Sequence, residues 1–309
     1  MPRPVTSTTK GQGVAIAALI AATLFWAGNY VVGEIAVASI DPLSLSFLRW
    51  VIAAPVLLVV AAVLERPDWR AVLRALPRLA ILGSLGMIGF VLPLYIALQT
   101  TTAVSASIIG AICPVLIAVT AAMMLRERLS PRIVIGLALG LAGVVLVVSK
   151  GSIEAVLALD FNVGDLWVLL ALVCWTAYTV YGRRFSDIPP VTSVGVQAAA
   201  VSVILLPFTL IGGLHVPSGA GEWGSVLFIA LFPSIGSYLL WNVALRRMPA
   251  GSVGIWLNLI PVFVVLIAVV LGGVFTPGDI IGGVLVLAGV LLGTIAAGAK
   301  RTSTTSAPP

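Results

Sequence analysis

A chain of 309 residues with 60% hydrophobic side chains, 9% charged ones and a mean hydropathy of +1.18 lies far outside the range of water-soluble globular proteins. Long unbroken apolar runs such as VAIAALIAATLFW and VLIAVTAAMML exclude an outer-membrane barrel, whose strands alternate over about ten residues, so the expected fold class is an all-α membrane protein. The net charge of +6 sits mostly in short segments between the runs, which speaks for membrane topology and anionic lipid contact rather than a nucleic-acid partner.

Taken in chain order, residues 1–13 are polar and are expected to form a disordered cytoplasmic tail. The first apolar window, 14–35, is too long for a signal-peptide core and carries Trp26, Asn29, Tyr30 and Glu34. The second, 42–64, carries Arg49 within the span. Between it and the third window, 79–99, the stretch ERPDWRAVLRALPR places Arg66, Arg70, Arg74 and Arg78 four apart, which suits a short surface helix. Tyr95 lies in the third window, Pro114 in the fourth (103–125), and Gly136, Gly140 and Gly143 in the fifth (131–149).

A connecting loop, 150–164, leads to the sixth window, 165–185, with Trp175 and Tyr178, and to the seventh, 191–213. His215, the single histidine, follows in a loop, where a lone imidazole is a solvated residue and no metal ligand. Tyr238, Trp241 and Asn242 fall in the eighth window (224–245), Trp256, Asn258 and Pro261 in the ninth (250–272), Gly289 and Gly293 in the tenth (278–299). Residues 300–309 form a second polar tail, expected to be disordered and cytoplasmic. Cys113 and Cys174 both lie inside windows and read as small apolar side chains. The glycines follow small-xxx-small spacing, the pattern of close helix packing.

With both ends cytoplasmic, fifteen of the seventeen basic residues fall on the inner side; Lys150 alone is outside, and Arg49 is within a span. That asymmetry fits ten transmembrane helices. The chain also repeats itself at an offset of 147 residues: Ala97 matches Ala244, Leu98 matches Leu245, Ser105 matches Ser252 and Pro114 matches Pro261, with Trp26 on Trp175 and Gly33 on Gly182 after small gaps. Two halves of five helices must enter the membrane from opposite sides, giving two inverted five-helix repeats, 14–149 and 165–299, an arrangement typical of secondary transporters.

The stretches FWAGNYVVGEIAVASIDPLSLSFLRW, ALQTTTAVSASIIGAICPVLIAVTAAMMLRERLSPRIVIGLALGLAGVVLVV and WTAYTVYGRR resemble the EamA family of the drug/metabolite transporter superfamily, over about residues 13–299. The resemblance implies ten helices with cytoplasmic termini, a central cavity between the halves, and export or exchange of small metabolites, amino acids being common cargo. In the family an acidic residue commonly follows the fourth helix of each half; Glu127 matches it in the first half, and LGGVFTPGD lacks it in the second. Glu34 stands where such proteins often carry a basic residue.

Aromatics with a few hydrogen-bonding groups are what a small-molecule site needs, and Trp26, Asn29, Tyr95, Trp175, Tyr178, Tyr238, Trp241, Asn242 and Asn258 are the candidates. Helix packing and interface anchoring are the plainer alternatives for each of them. Pro114 and Pro261 each remove a backbone donor at equivalent mid-span positions and are expected to kink their helices near the substrate region. Arg49 calls for a partner or a wet cavity; Glu34 and Asp41 are the nearest acids, and a Glu34–Arg49 charge pair is expected, with attraction of a substrate carboxylate as a second role for Arg49.

No window contains a histidine or a deep carboxylate pair, so catalysis is not expected, and neither is a cofactor or metal. No ring of like charges suggests a channel. The expected function is an inner-membrane secondary transporter passing small polar metabolites, amino acids foremost, by alternating access; a lipid flippase of the same superfamily and a proton-coupled drug exporter are the alternatives. Expected partners are a small-molecule substrate and membrane lipids, with the chain a monomer or homodimer.

Overall fold

In the computed structural model of the chain, residues 9–126, 129–149, 162–183, 187–272 and 277–303 are described. Residues 1–8 and 304–309 of the expected tails, most of the connecting loop, and Glu127, Arg128, Lys150 and Arg184 lie outside them. Among the described residues eight helices are long and apolar enough to cross a membrane: α1 (Gly13–Val37, preceded by helical residues from Thr9), α2 (Pro42–Glu65), α3 (Trp69–Ala97), α4 (Ala103–Leu125), α6 (Val163–Gly182), α7 (Pro190–Gly212), α8 (Ala220–Leu245) and α9 (Ala250–Val270). Two further apolar helices, α5 (Pro131–Ser149) and α10 (Pro277–Ser303), close the two halves of the chain. Helix α1 thus begins inside the stretch expected to be disordered, and α10 runs to Ser303.

Helix starts are set by local chemistry. The Asp41 carboxylate accepts the Ser44 N–H at 2.9 Å with Pro42 opening α2, Thr102 accepts the Ser105 N–H to cap α4, and Asn162 with Asp165 forms a capping box on α6. Asp68 caps α3 at Trp69, so Arg70, Arg74 and Arg78 belong to the first part of α3, Arg66 sits in the left-handed turn after α2, and among the described residues the stretch forms no separate surface helix. The reason is tertiary: Val72, Ala75 and Leu79 share one face, three and four residues apart, and bury against Ile188 and Val196, with Leu58 alongside. Pro77 is carried inside the helix.

Both proline sites coincide with irregular winding. Helix α4 breaks at Ala111–Ile112 just before Pro114, and α9 tightens to a 3-10 turn over Ile255–Asn258 just before Pro261. Helices α3 and α8 carry π-wound segments at Ser84–Ile88 and Ala230–Ser237.

Helices from the two halves interleave. α2 packs along α7 and α5 along α10, while α1 meets α8 and α9, α6 meets α3 and α4, and α4 meets α9. On α5 and α10 the glycines let backbones touch: a Cβ on Gly143 would fall 2.5 Å from the Gly282 carbonyl oxygen, and one on Gly289 2.5 Å from that of Gly136.

The α2–α7 pair is fastened at both ends. At the end that also holds Arg66, Arg78, Arg183 and Arg246, called here the arginine end, the Glu65 carboxylate accepts from the Val191 N–H at 3.0 Å and from the Thr192 N–H and hydroxyl at 2.7 Å each. This is an anion on a helix N-terminus, where charge and unpaired N–H groups favour it. At the far end a single neutral bond, His215 N–H to Ser44 Oγ at 2.9 Å, does the same job.

Candidate functional site

Three layers succeed one another through the middle of the bundle. In the central layer Trp26 of α1 and Trp175 of α6 meet edge to face with ring centroids 5.0 Å apart, and Trp241 and Tyr238 of α8 pack on both. Tyr178 lies against Trp175 at 5.1 Å, and Trp50 closes on Tyr238 at 5.1 Å. The indole N–H of Trp50 donates to the Met87 carbonyl, and the Tyr238 hydroxyl donates to that of Gly86. The buried indole N–H groups of Trp26, Trp175 and Trp241 have no acceptor. Three such donors in one cluster are uncommon in a packed core, where buried polar groups are nearly always paired.

Toward the far end lies the second layer, built on Arg49. Only 1% exposed, its Nε donates to Ser234 Oγ at 2.8 Å, and its Nη1 donates to the Tyr95 hydroxyl at 2.6 Å and, more loosely, to Asn29 Oδ1 at 3.4 Å. Tyr95 in turn donates to Asn29 Oδ1 at 2.9 Å. The guanidinium also stands 4.9 Å from the Trp50 ring centre and 5.6 Å from that of Tyr95. Residues from α1, α2, α3 and α8 thereby converge on one cation, and among the described residues no carboxylate pairs with it. The expected Glu34–Arg49 ion pair does not form. Glu34 instead accepts the Ala103 N–H at 3.0 Å, capping α4, because a helix N-terminus at the surface is a cheaper partner for a carboxylate than a buried guanidinium. Asp41 is occupied with the cap of α2.

Packing at this layer is tight: a Cβ on Gly33 would lie 3.1 Å from the Tyr95 ring and 3.3 Å from Leu98. Next to it Trp26, Asn29, Tyr30, Cys113 and Trp175 enclose a void of 20 Å³, room for about one water.

Toward the arginine end the third layer is open. A cavity of 320 Å³ is lined by Tyr178, Ser193, Gln197, Asn242, Arg183 and Arg246, among others. Asn242 donates to the Tyr178 hydroxyl at 3.0 Å and to the Tyr238 carbonyl at 2.8 Å. Gln197 donates from Nε2 to Ser193 Oγ at 2.9 Å, while its Oε1, buried, has no donor. At the mouth Arg246 donates to the Ile188 carbonyl and Arg183 to those of Leu245 and Met248. Burial pushes the Arg246 guanidinium below its ordinary value, an effect opposed by the charges of Glu65 and Asp187. A separate lateral cavity of 520 Å³ between α2, α3 and α7 is almost wholly apolar, with Asp41 and Gln99 its polar rim.

Nine of the ten candidate residues thus fall in these layers: Trp26, Trp175, Tyr238 and Trp241 in the first, Asn29, Arg49 and Tyr95 in the second, Tyr178 and Asn242 in the third. Asn258 does not join them; it packs on Gly140 of α5 with its Oδ1 unpartnered. Sequence reasoning missed Trp50, Ser193, Ser234 and Gln197. Ser234 carries no signal of its own, whereas Gln197 is an isolated amide inside the apolar α7, a position that asks for a partner or a cavity.

The EamA-like transporter family matches the chain twice, over residues 13–149 and 162–295. Among similar proteins, an uncharacterized transporter YyaM of Bacillus subtilis is 30% identical over 88% of this chain and 91% of its own length. An aromatic amino acid exporter YddG of Ancylobacter novellus is 26% identical, covering 84% and 90%, and a probable terminal-alkyne amino-acid exporter of Streptantibioticus cattleyicolor 27% identical, covering 90% and 92%. A solved crystal structure shares the fold with a TM-score of 0.74 at 20% identity, over 94% of this chain and 98% of that one. The chain belongs to the EamA-like transporter family and is a multi-pass membrane protein.

Proposed function

We propose that this chain, an EamA-family transporter, is an alternating-access carrier of amino acids, with ten transmembrane helices in two inverted repeats, lying in the cell's inner membrane with both ends and the arginine end cytoplasmic. The observation that carries this reading is the one-sided cavity: 320 Å³ open at the arginine end, stopped by the aromatic layer, and sealed beyond it by Arg49, Tyr95 and Asn29. A channel needs a path through; a carrier caught open to one side has this shape.

The paired contacts between halves fit inverted repeats, since two of the principal ones recur with the roles exchanged: α1 on α8 as α6 on α3, α1 on α9 as α6 on α4. Arg66, Arg78 and Arg246 at one end fit the positive-inside rule. Amino acids fit the polar and aromatic walls, and two of the relatives are named as amino-acid exporters. The void beside the aromatic layer has room for about one water, so each transfer requires that layer to part.

The test is counterflow in proteoliposomes loaded with one amino acid and presented with another. Saturable exchange is expected, with no electrogenic ion leak; an ion current without saturation would favour a channel. Flipping of labelled phospholipid in place of amino-acid exchange would favour the flippase.

A further inference from the structure

The packed and open layers are built from corresponding residues. At an offset of 148 residues α2 overlies α7, with Pro42 on Pro190, Ser44 on Thr192, Arg49 on Gln197 and Leu57 on Leu205. At 149, Asn29 falls on Tyr178 and Gly33 on Gly182, and at 147, Tyr95 falls on Asn242. The three polar groups of the sealed layer, Asn29, Arg49 and Tyr95, therefore match Tyr178, Gln197 and Asn242 of the cavity wall one for one. The glycine pair reports the difference in state. Gly33 is pressed against Tyr95 and Leu98, whereas a Cβ on Gly182 would meet nothing within 4 Å.

The correspondence has one break in charge. At the same depth in its helix, one end holds a guanidinium and the other a neutral amide, whose free Oε1 is an acceptor. Arg49 is buried, its hydrogen bonds run from Nε and Nη1, and among the described residues no anion pairs with it. Its ligands are neutral and come from three other helices, α1, α3 and α8. Opening the far end as the arginine end is now open would separate Tyr95 from Asn29 and leave the guanidinium facing a wet cavity. A carboxylate is the ligand that matches it, in charge and in two-toothed geometry. Arg183 and Arg246 attract anions to the opposite mouth, but they lie at helix ends, not at the depth of Gln197.

We propose that Arg49 makes the transporter sided toward carboxylates: open at the far end it binds a substrate carboxylate through Arg49, and open at the arginine end it meets the same substrate with the neutral Gln197. This rests on the carrier reading above. Its expected size is a KM on the order of 10- to 100-fold lower from the far side, the worth of a hydrogen-bonded charge. Because net flux must vanish at equal concentrations, Vmax falls from that side in the same proportion.

The experiment uses the full chain in vesicles of each orientation, with labelled L-phenylalanine and L-phenylalaninamide as probes. For the acid, KM is lower from the far side; for the amide, the two sides agree. Arg49→Gln brings the acid's ratio to that of the amide, and the double exchange Arg49→Gln with Gln197→Arg reverses it. Equal KM for the acid on both sides of the unaltered protein overturns the inference while leaving the carrier standing, and this arm needs no variant to fold. Preserved sidedness in a transporting Arg49→Gln variant overturns it as well. Absence of saturable counterflow with both probes overturns the amino-acid carrier reading and the inference with it.

Discussion

The far end and the arginine end of this bundle are made from corresponding residues and have opposite condition. Gly33 is in contact with Tyr95 and Leu98, while Gly182 faces open space; Arg49 is bound on two sides by neutral oxygens, while Gln197 looks into a cavity. The two fastenings of α2 to α7 differ too, three bonds to a carboxylate at one end and one bond to a hydroxyl at the other. Corresponding residues thus support both a sealed and an open arrangement, with one change of charge between them, Arg49 against Gln197.

The largest effect is expected from a steric change. Gly33→Leu adds a side chain where no space exists, a cost of about 1–3 kcal/mol or more, so it should drive the far end open and the arginine end shut. With Gln197→Cys as reporter, labelling by a membrane-impermeant maleimide from the arginine end should fall by roughly tenfold or more. Gly182→Leu should leave that labelling intact and yet stop transport, because the far-end packing at Gly33 shows how little room the closed form would leave. Labelling that responds equally to both substitutions would end the claim that the ends alternate.

A smaller effect is expected from Tyr95→Phe, which removes the donor to Asn29 and the acceptor for Arg49. Loss of a hydrogen bond to a buried charge is worth about 1.5–3 kcal/mol, and hydrogen exchange over 29–34 and 91–98 should speed up while that over 178–182 stays the same. Next comes the fastening. Glu65→Gln weakens three charge-assisted bonds and should lower Tm by about 2–4 °C for each kcal/mol lost, with Ser44→Ala lowering it less. Equal shifts would make the two fastenings equivalent. The smallest response should be to pH. Among the residues lining the 320 Å³ cavity no carboxylate or histidine appears, so transport should change less than about twofold between about pH 6 and 8. Concentrative uptake driven by an imposed proton gradient would contradict that.

The apolar helices were legible because an apolar window of about twenty residues has few other readings, and the two halves that the family model matches were legible because Pro114 and Pro261, or Trp26 and Trp175, leave marks that survive divergence. The residues of the aromatic layer were legible as types, aromatic side chains at mid-span. Partners were not. A search for what balances Arg49 turns naturally to Glu34 and Asp41, twenty residues away or nearer, whereas the structure uses Ser234, which is 185 residues distant and carries no charge. Glu34 was misread for the same reason: its partner is the Ala103 backbone N–H, which sequence does not display. The surface helix failed differently, since its four arginines describe one face and the fusion with α3 depends on α7 covering the other.

The three indole N–H groups without acceptors make the aromatic layer its own optical probe. Indoles held dry and unbonded emit toward the blue, and Trp26, Trp175 and Trp241 lie with centroids 5.0 to 5.7 Å apart, close enough to share excitation. Water or a carboxylate reaching any one of them as the layer parts would redden and dim the emission of all three. Under the proposed carrier mechanism, substituting the other five tryptophans of the eight by phenylalanine would make parting of this layer readable in the intrinsic fluorescence without a dye.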